Sequence, residues 1–535
     1  MNKNIIKKAI IYLNVLFISH ISMANTDIDS GCSCSNHKVT FYPNTIFDEK
    51  DDNVLFLHHW VNFLHITTKQ ITLENEAAFF LEKCEKSDQD LAELERHLRS
   101  RKYLRDAKVS ADPTGKNIKV ETWDNWSLMP TVSFGRKGGV NTYSIGIKDR
   151  NLFGLGIDAE IESFTNSQRS GYKFDAQIPL FQKQNTELSL RFSDNDDGRQ
   201  KALFLTKIFA SFYTPYAYNI GFDDEIRNDT IFQNGEDLTT YKHEIDYKTL
   251  SFSWLNFNNK KYNLRYSLGA TKDFNRFSAA DDYLSIPNEL PEDRNFTYPW
   301  MGIEFTEQDF RELSNIHLIT QIEDFNFGWH VKAKLGIADG KKENSAWALW
   351  HANISKGFAL SDHALLLFDL AIAGDIYDQQ DNRYLIKINT EFFYRISKQW
   401  GYYFNNTNVF SQNQYLDQPV TLGGDSGLRG FPLQYLHGNN SLKFTNELRY
   451  YPHINVFKLF ELAGALFIDN GKISGGVAKT NIDQSWVHSV GIGARIYSAH
   501  AVGKSRVVHI DLVKPFSQNS AINGFELRLQ AKQSF

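Results

Sequence analysis

Hydrophobic and polar residues alternate with a period of two along most of the chain from Leu128 onward, and polar turns rich in Gly, Asn and Asp interrupt the alternation. Residues spaced by two point to the same face of a strand, so each segment has one apolar and one polar face. In one example the apolar face comprises Tyr384, Ile386, Ile388, Phe392, Tyr394 and Ile396. The final segment repeats the scheme with Phe525, Leu527, Leu529, Ala531 and Phe535.

A long series of such segments that ends in an aromatic residue is typical of a transmembrane antiparallel β-barrel, with apolar faces toward lipid and polar faces toward a lumen. Short turns alternate with longer loops, which places the short turns in the periplasm and long loops such as 416–439 outside. Counting strands with this parity gives about 20, with both ends of the barrel on the periplasmic side. We therefore predict a mainly β protein whose barrel occupies residues 128–535.

The residues before the barrel, 25–127, have the pattern of one small α/β domain. A Ser-x-x-Asp capping pattern precedes leucines at helical spacing, which predicts an amphipathic helix at Ser87–Arg101. The other predicted elements are a strand at Phe63–Thr67, a helix at Glu74–Lys83, and strands at Ala107–Ala111 and Asn117–Trp123. A β-α-α-β-β unit of this length can bury a modest core and fold as a separate domain.

Residues 1–24 have the pattern of an export signal. Three lysines precede a mostly apolar stretch, and Ser22-Met23-Ala24 supplies the small residues of a cleavage site. The mature chain is therefore expected in an oxidising compartment, where Cys84 can form a disulfide with either Cys32 or Cys34.

Composition and motifs exclude several classes of protein. The chain has 41 Phe and 24 Tyr, yet it contains no run of about 18 apolar residues that would predict a transmembrane helix. Its net charge of -5 gives no signature of nucleic-acid binding. The Gly-x-Ser-x-Gly motif of a lipid hydrolase does not occur in the sequence. We therefore expect no enzymatic activity, no cofactor and no metal site.

One loop combines glycine-rich sequence with a single arginine. In Leu422–His437, several glycines allow tight turns around Arg429. Alternation in the next two strands turns Glu447 and Asp469 toward the lumen. A guanidinium that folds into the barrel could bridge both carboxylates, whereas a buried cation without such partners would be costly. The same carboxylates could instead be ordinary polar residues of the lumen wall.

These residues resemble a known signature. The stretch Leu428-Arg429-Gly430-Phe431, the inward Glu447, and the pattern Phe467-x-Asp469-x-Gly471 are similar to the shared motifs of the BamA/TamA and two-partner-secretion superfamily of outer-membrane assembly and translocation barrels. The resemblance implies that the acids hold the loop arginine inside the barrel. It also implies that residues 25–127 form a periplasmic POTRA-like domain, and that the barrel has roughly sixteen strands rather than about 20.

The resemblance implies an outer-membrane protein that inserts or translocates polypeptides. A POTRA domain would capture extended clients by β-augmentation, here at Phe63–Thr67 or Ala107–Ala111. The first barrel strand follows Pro130, which cannot donate to a ladder, so its seam with the last strand should be weak and could open laterally. The seam residues are Thr131, Phe134, Phe525 and Phe535.

The expected partners are outer-membrane lipid, unfolded or extended client polypeptides and periplasmic accessory proteins, without nucleic acid. The alternative function is a passive outer-membrane porin or solute channel, in which Glu447 and Asp469 would only tune ion selectivity. A plain porin needs no periplasmic domain, so the predicted N-terminal domain separates the two hypotheses.

Overall fold

A computed structural model describes residues 37–47, 56, 59, 62, 63, 65–180, 185–280, 290–338, 346–377, 381–457, 460–498 and 507–532. The predicted export signal, Cys32, Cys34 and Phe535 lie outside the described residues. Within them, no helix is both long enough and apolar enough to cross a membrane.

Most of the described chain forms one closed antiparallel barrel of 20 strands. Its first ten strands are β4 Leu128–Lys137, β5 Val140–Leu152, β6 Ile157–Thr165, β7 Ser170–Pro179, β8 Thr186–Asn195, β9 Gly198–Lys207, β10 Tyr216–Gln233, β11 Glu236–Asn258, β12 Tyr262–Ala279 and β13 Arg294–Glu307. The other ten are β16 His330–Ile337, β17 Ala348–Ser361, β18 Ala364–Ile376, β19 Arg383–Arg395, β20 Trp400–Gln412, β23 Asn440–Val456, β24 Phe460–Ser474, β25 Val487–Ser498, β26 Val507–Phe516 and β27 Glu526–Lys532.

The strand count confirms the prediction from alternation, and the sixteen strands implied by the resemblance are wrong for this chain. The number of strands predicted from alternation was correct because each strand has its own apolar outer face. Exposed apolar residues on that outer surface include Ile145, Ile161, Leu268, Leu466, Ile492, Leu512 and Leu527. Such a band is stable facing lipid, where every backbone group of a closed barrel is already paired.

Two smaller hairpins interrupt the barrel. The strands β14 Phe310–Ser314 and β15 Ile322–Asn326 pair with each other between β13 and β16. The strands β21 Val420–Leu422 and β22 Leu436–Gly438 pair within the loop between β20 and β23. The two hairpins lie at opposite rims, because an odd number of barrel strands separates them along the meander.

The N-terminal domain contains β1 Lys38–Asn44, α1 Gln70–Glu76, α2 Ala78–Leu81, α3 Asp88–Ser100, β2 Leu104–Ala111 and β3 Asn117–Asp124. Its sheet has the order β1-β3-β2, with β1 parallel to β3 and β2 antiparallel to it. Leu73, Phe80, Leu94 and Leu98 pack on this sheet and form its core. Ser87 caps α3 with a capping box to Asp90, as the sequence pattern predicts.

Two predictions for this domain are wrong. Residues 65–67 form no strand, and the strand that pairs with β3 is β1. The segment before α1 is instead held by side chains, since the Thr68 amide and hydroxyl donate to the Asp124 carboxylate over 2.7 and 2.8 Å. The predicted helix at Glu74–Lys83 is divided at Ala77, where α1 ends and α2 begins.

The N-terminal domain contacts the turns at one rim of the barrel, which we call the domain rim. Gly154 O accepts from the Lys69 amide at 2.9 Å, and the buried Glu93 accepts from the Phe212 amide. Gln89 donates to Lys260 O over 2.9 Å. Cys84 is disulfide-bonded, and its partner lies outside the described residues.

Candidate functional site

The loop between β20 and β23 folds into the barrel lumen. Its apolar side chains Leu428, Phe431, Tyr435 and Leu436 are fully buried in one cluster with residues of the barrel wall such as Ile473 and Val487. Gly430 has a φ of 84°, a left-handed conformation that favours glycine. A Cβ there would lie 2.9 Å from Val513 Cγ1, so the position also lacks space for a side chain.

Arg429 is enclosed at the centre of this loop, with 2% of its surface exposed. Its Nε donates to Asp469 Oδ2 over 2.6 Å, and its Nη2 donates to Asp469 Oδ1 over 2.8 Å. Its Nη1 donates to Glu447 Oε1 over 2.7 Å. Two carboxylates therefore neutralise one buried guanidinium with charge-assisted bonds, an arrangement that offsets the cost of taking the charge out of water.

The other motif residues shape the space around Arg429. Its guanidinium lies 3.4 Å from the centre of the Phe467 ring, a cation–π contact. At Gly471 a Cβ would meet Leu422 and Leu428 side chains at 3.3 Å, so glycine leaves room for the loop to pack on β24. Leu428, Gly430, Phe431, Phe467 and Gly471 thus all lie around the Arg429 site.

Several residues of the site were not identified from the sequence. Thr445 donates to Asp469 Oδ1 over 2.8 Å, and Arg449 Nε donates to Glu447 Oε2 over 3.1 Å. Lys443 Nζ donates to the loop carbonyl of Ser426 over 2.9 Å. All three share the inward face of β23 with Glu447, so the alternation that orients Glu447 is the signal that could have found them.

The same loop also contacts both sides of the barrel seam. Arg528 on β27, the last described strand, donates from Nη2 to Gly424 O over 3.3 Å. On the other side, the turn between β4 and β5 packs against the loop, since a Cβ at Gly138 would lie 2.7 Å from the Leu433 amide nitrogen. Gly139 also donates its amide to Glu526 over 3.0 Å.

The seam itself has little pairing. Within the described residues, β4 and β27 pair only at Arg136 and Leu529, whereas β26 and β27 pair continuously from Val507 to Val513. Thr131 and Phe134 lie on β4, and Phe134 is half exposed. Phe525 immediately precedes β27 and is 74% exposed.

The predicted capture strand Ala107–Ala111 lies within β2, at an edge of the N-terminal sheet. One of its outward backbone donors already has a partner, because Glu95 of α3 accepts from the Val109 amide over 2.9 Å. The free edge is therefore partly covered by a side chain of the same domain. The alternative capture strand at Phe63–Thr67 is not a strand in this structure.

Residues 378–496 match the family model described as "Haemolysin secretion/activation protein ShlB/FhaC/HecB". The matched segment contains the Arg429 loop, Glu447 and the Phe467–Gly471 motif. A comparison with curated protein sequences finds no match.

Three solved structures that match this chain do so at low sequence identity. BamA from Haemophilus ducreyi, lacking POTRA domains 1–3, is 12% identical with a TM-score of 0.42, covering 94% of this chain and 85% of that one. CdiB from Acinetobacter baumannii is 10% identical with a TM-score of 0.44, covering 88% and 72%. CdiB from Escherichia coli is 12% identical with a TM-score of 0.45, covering 93% and 75%.

The family match spans the segment that carries the sequence signature, and it thereby confirms the superfamily predicted from the residues. The chain thus forms a closed β-barrel whose residues 378–496 are similar to the haemolysin secretion and activation proteins of that family model.

Proposed function

We propose that this protein inserts polypeptides into the outer membrane or translocates them across it, with an N-terminal domain in the periplasm that receives extended clients. The observation that carries the proposal is the enclosed Arg429, held by Glu447 and Asp469 inside the lumen. A family match to proteins described as functioning in haemolysin secretion and activation supports a polypeptide as the cargo.

The contacts of the loop support a part in opening the barrel. The loop is bonded to wall strands β23 and β24 through Arg429, and it touches β4–β5 and β27 on the two sides of the seam. A loop that bridges a poorly paired seam can hold it closed. In this proposal, release of the loop from the Arg429 site weakens the seam and lets a client strand enter beside β27.

The N-terminal domain offers the receiving surface. An extended chain can add to a free strand edge through backbone hydrogen bonds with little dependence on sequence. The edge strand β2 is one such template, and it lies in the domain that contacts the barrel turns. Clients are therefore expected to be unfolded or extended when they arrive.

The occupied lumen favours this function over a passive porin. Phe431 and Leu428 are fully buried inside the barrel wall, so the loop fills space that a diffusion channel would leave to water. Deletion of the N-terminal domain separates the two functions. A porin's conductance would survive removal of residues 25–125, whereas an assembly or translocation factor would lose its activity.

A photo-crosslinking amino acid at the exposed Lys108 of β2 tests capture directly in cells. We expect it to trap exported polypeptides before they reach the outer membrane. The matched control places the same crosslinker at Lys116, in the exposed turn between β2 and β3. Equal capture from both positions, or none from Lys108, would contradict capture by the edge strand.

A further inference from the structure

The β14–β15 hairpin crosses the mouth of the barrel at the domain rim. It leaves the wall between β13 and β16, yet its tip packs on the inner faces of β23–β26, and six strands separate β13 from β24 around the barrel. The tip residues Leu318 and Ile319 are buried there against Tyr451, Ala465 and Tyr497. The hairpin is therefore a strap across the lumen rather than a loop in solvent.

The tip of this strap is bonded to the Arg429 site. Arg449 donates from Nη1 to Ile316 O over 2.9 Å and from Nε to Glu447 Oε2 over 3.1 Å. Tyr451 donates to Asn315 O over 3.2 Å. Since Glu447 Oε1 accepts from Arg429, one carboxylate and one guanidinium connect the strap to the loop.

The outer face of the strap is bonded to the N-terminal domain. Arg99 of α3 donates from Nε and Nη2 to the two oxygens of Asp324 over 3.1 and 2.8 Å, and from Nη2 to Glu312 over 2.6 Å. The Arg96 guanidinium lies 3.6 Å from the centre of the Phe310 ring. Because the Arg99 guanidinium bonds to both strands of the strap, it fixes the orientation of the strap as well as its position.

Arg99 also connects to the capture edge. Its Nη1 donates to Glu95 Oε1 over 2.6 Å, and the other oxygen of Glu95 accepts from the Val109 amide on β2. A client strand that pairs with β2 needs that amide, so it must displace Glu95. Displacement of Glu95 would change the charge balance at Arg99, because Glu95 is one of the three carboxylates around that guanidinium.

We propose that Arg449 is a positioning residue for Glu447, and that the β14–β15 strap transmits occupation of the β2 edge to it through Arg99. Client pairing at β2 takes Glu95 away from Nη1 of Arg99, so the guanidinium loses the contact that fixes its position on α3. Arg99 and the strap carboxylates can then shift together, which loosens the support that Ile316 gives Arg449. The Arg429 site then opens more readily. The inference rests on the proposed function, because it gives that site its regulator.

The strap has room to move. A cleft of about 380 Å³ lies between it and the rim of β17–β20, lined by Leu313 and Phe327 on the strap side and Leu365 and Phe393 on the wall side. Packing is therefore close at the tip and open along one flank. An element held mainly at its tip and at its outer face can shift when one of the two attachments is lost.

Hydrogen exchange of the full-length protein in lipid nanodiscs tests the coupling without any client. The reporters are the loop amides of Gly424 and Leu428, which bond to Pro432 O and Gly423 O. Arg99→Gln should speed exchange of the Phe327 amide, which donates to Asp309 O at the base of the strap, and, by about fivefold, that of the loop reporters. Lys119→Gln is the control, because Lys119 pairs with Glu121 within the domain and touches no strap residue.

A second pair of variants separates positioning from folding. Arg449→Lys keeps the charge but cannot bond Glu447 and Ile316 in the same fork, so it should speed loop exchange while the barrel still folds. Arg99→Asp alone should speed exchange of the loop amides. Adding Asp324→Arg swaps the two charges, so the double variant should exchange slowly again. Loop exchange within about twofold of wild type in Arg99→Gln, with the strap accelerated, would overturn the inference.

The outcome is distinguishable from a failure of the proposed function. Suppose that loop exchange responds as expected, but the Arg429→Ala variant still delivers clients. The coupling would then be supported, and the role of the Arg429 site in transport would be refuted. Unchanged exchange in a protein that captures clients through Lys108 would refute the coupling alone.

Discussion

Arg449 Nε donates to Glu447 Oε2 over 3.1 Å, while Glu447 Oε1 accepts from Arg429 over 2.7 Å. One carboxylate thus lies between two buried guanidinium groups, the first from the barrel wall and the second from the loop. Asp469 supplies the further negative charge that Arg429 needs. The lumen wall and the loop are therefore joined by a short network of ions rather than by a single pair.

The two acids of the site should not be equivalent. Asp469 accepts from Nε, Nη2 and the backbone amide of Arg429 and from Thr445, whereas Glu447 accepts one bond from Arg429. Breaking a buried ion pair by neutralising one partner costs about 3–5 kcal/mol. We expect Asp469→Asn to approach that loss and Glu447→Gln to cost less. Heat-modifiable migration of the folded barrel on gels measures the difference.

Gly430 should tolerate no side chain. Gly430→Ala imposes both a left-handed φ of 84° and a clash with Val513, whereas Gly139→Ala imposes a φ of 80° with no atom within 4 Å. The strain at φ costs on the order of 1 kcal/mol at both positions, so the difference in melting temperature isolates the clash. Equal melting temperatures for the two variants would contradict the close packing of the loop on β26.

The seam should depend on Arg528. This residue ties β27 to the loop carbonyl of Gly424, and the described strands β4 and β27 pair at one position only. If the hydrogen bond from Arg528 to Gly424 contributes about 1.4 kcal/mol, Arg528→Gln should speed hydrogen exchange in β27 by about tenfold. Lys472→Gln on β24, away from the seam, is the control. Slow exchange of β27 in both variants would show that the seam is held by other means.

The N-terminal domain should lose stability in acid. Burial alone would raise the pKa of Glu76, but Arg101 and hydrogen bonds from His97 and Tyr103 lower it to about 2, from a usual value of 4.5. A lowered carboxyl pKa contributes stability above pH 4.5 that is lost as the pH falls from 4.5 toward 2.

The size of that contribution is about 3 kcal/mol for a buried group with this change in pKa. Circular dichroism at the helix band can follow it, since α1, α2 and α3 all lie in the N-terminal domain. Glu76→Gln should be less stable than wild type at pH 7 and should lose less on acidification. The exposed Glu85→Gln is the control, and identical acid curves for all three proteins would contradict the role of Glu76.

Much of the barrel was predictable because its physics is local. Alternation within each strand indicates that strand without reference to distant residues. The count of about 20 strands and the inward direction of Asp469 could therefore be predicted from the sequence alone. The loop residues that meet Asp469 carry a recognisable motif at Leu428–Phe431. Local patterns thus identified both halves of the Arg429 site.

The elements that were missed depend on pairing between distant residues. The strand β1 is defined by parallel pairing with β3, in which Lys38 lies opposite Asn117, and its own alternation is brief, with Val39 and Phe41 turned to the core. In the β14–β15 hairpin the apolar residues are three apart, at Phe310 and Leu313 and at Ile322 and Phe325, so no period-two pattern marks its strands. Alternation along β23 turns Arg449 inward, yet its partner Ile316 O lies on the hairpin, which the sequence did not identify.

Arg429 should hold the loop inside the lumen through its bonds to Glu447 and Asp469. The most direct test is the ion conductance of Arg429→Ala in planar lipid bilayers, with the exposed Arg395→Ala as the control. We predict larger and fluctuating conductance for Arg429→Ala, because the loop leaves the lumen, and wild-type conductance for Arg395→Ala. Steady wild-type conductance from a folded Arg429→Ala barrel would contradict the claim.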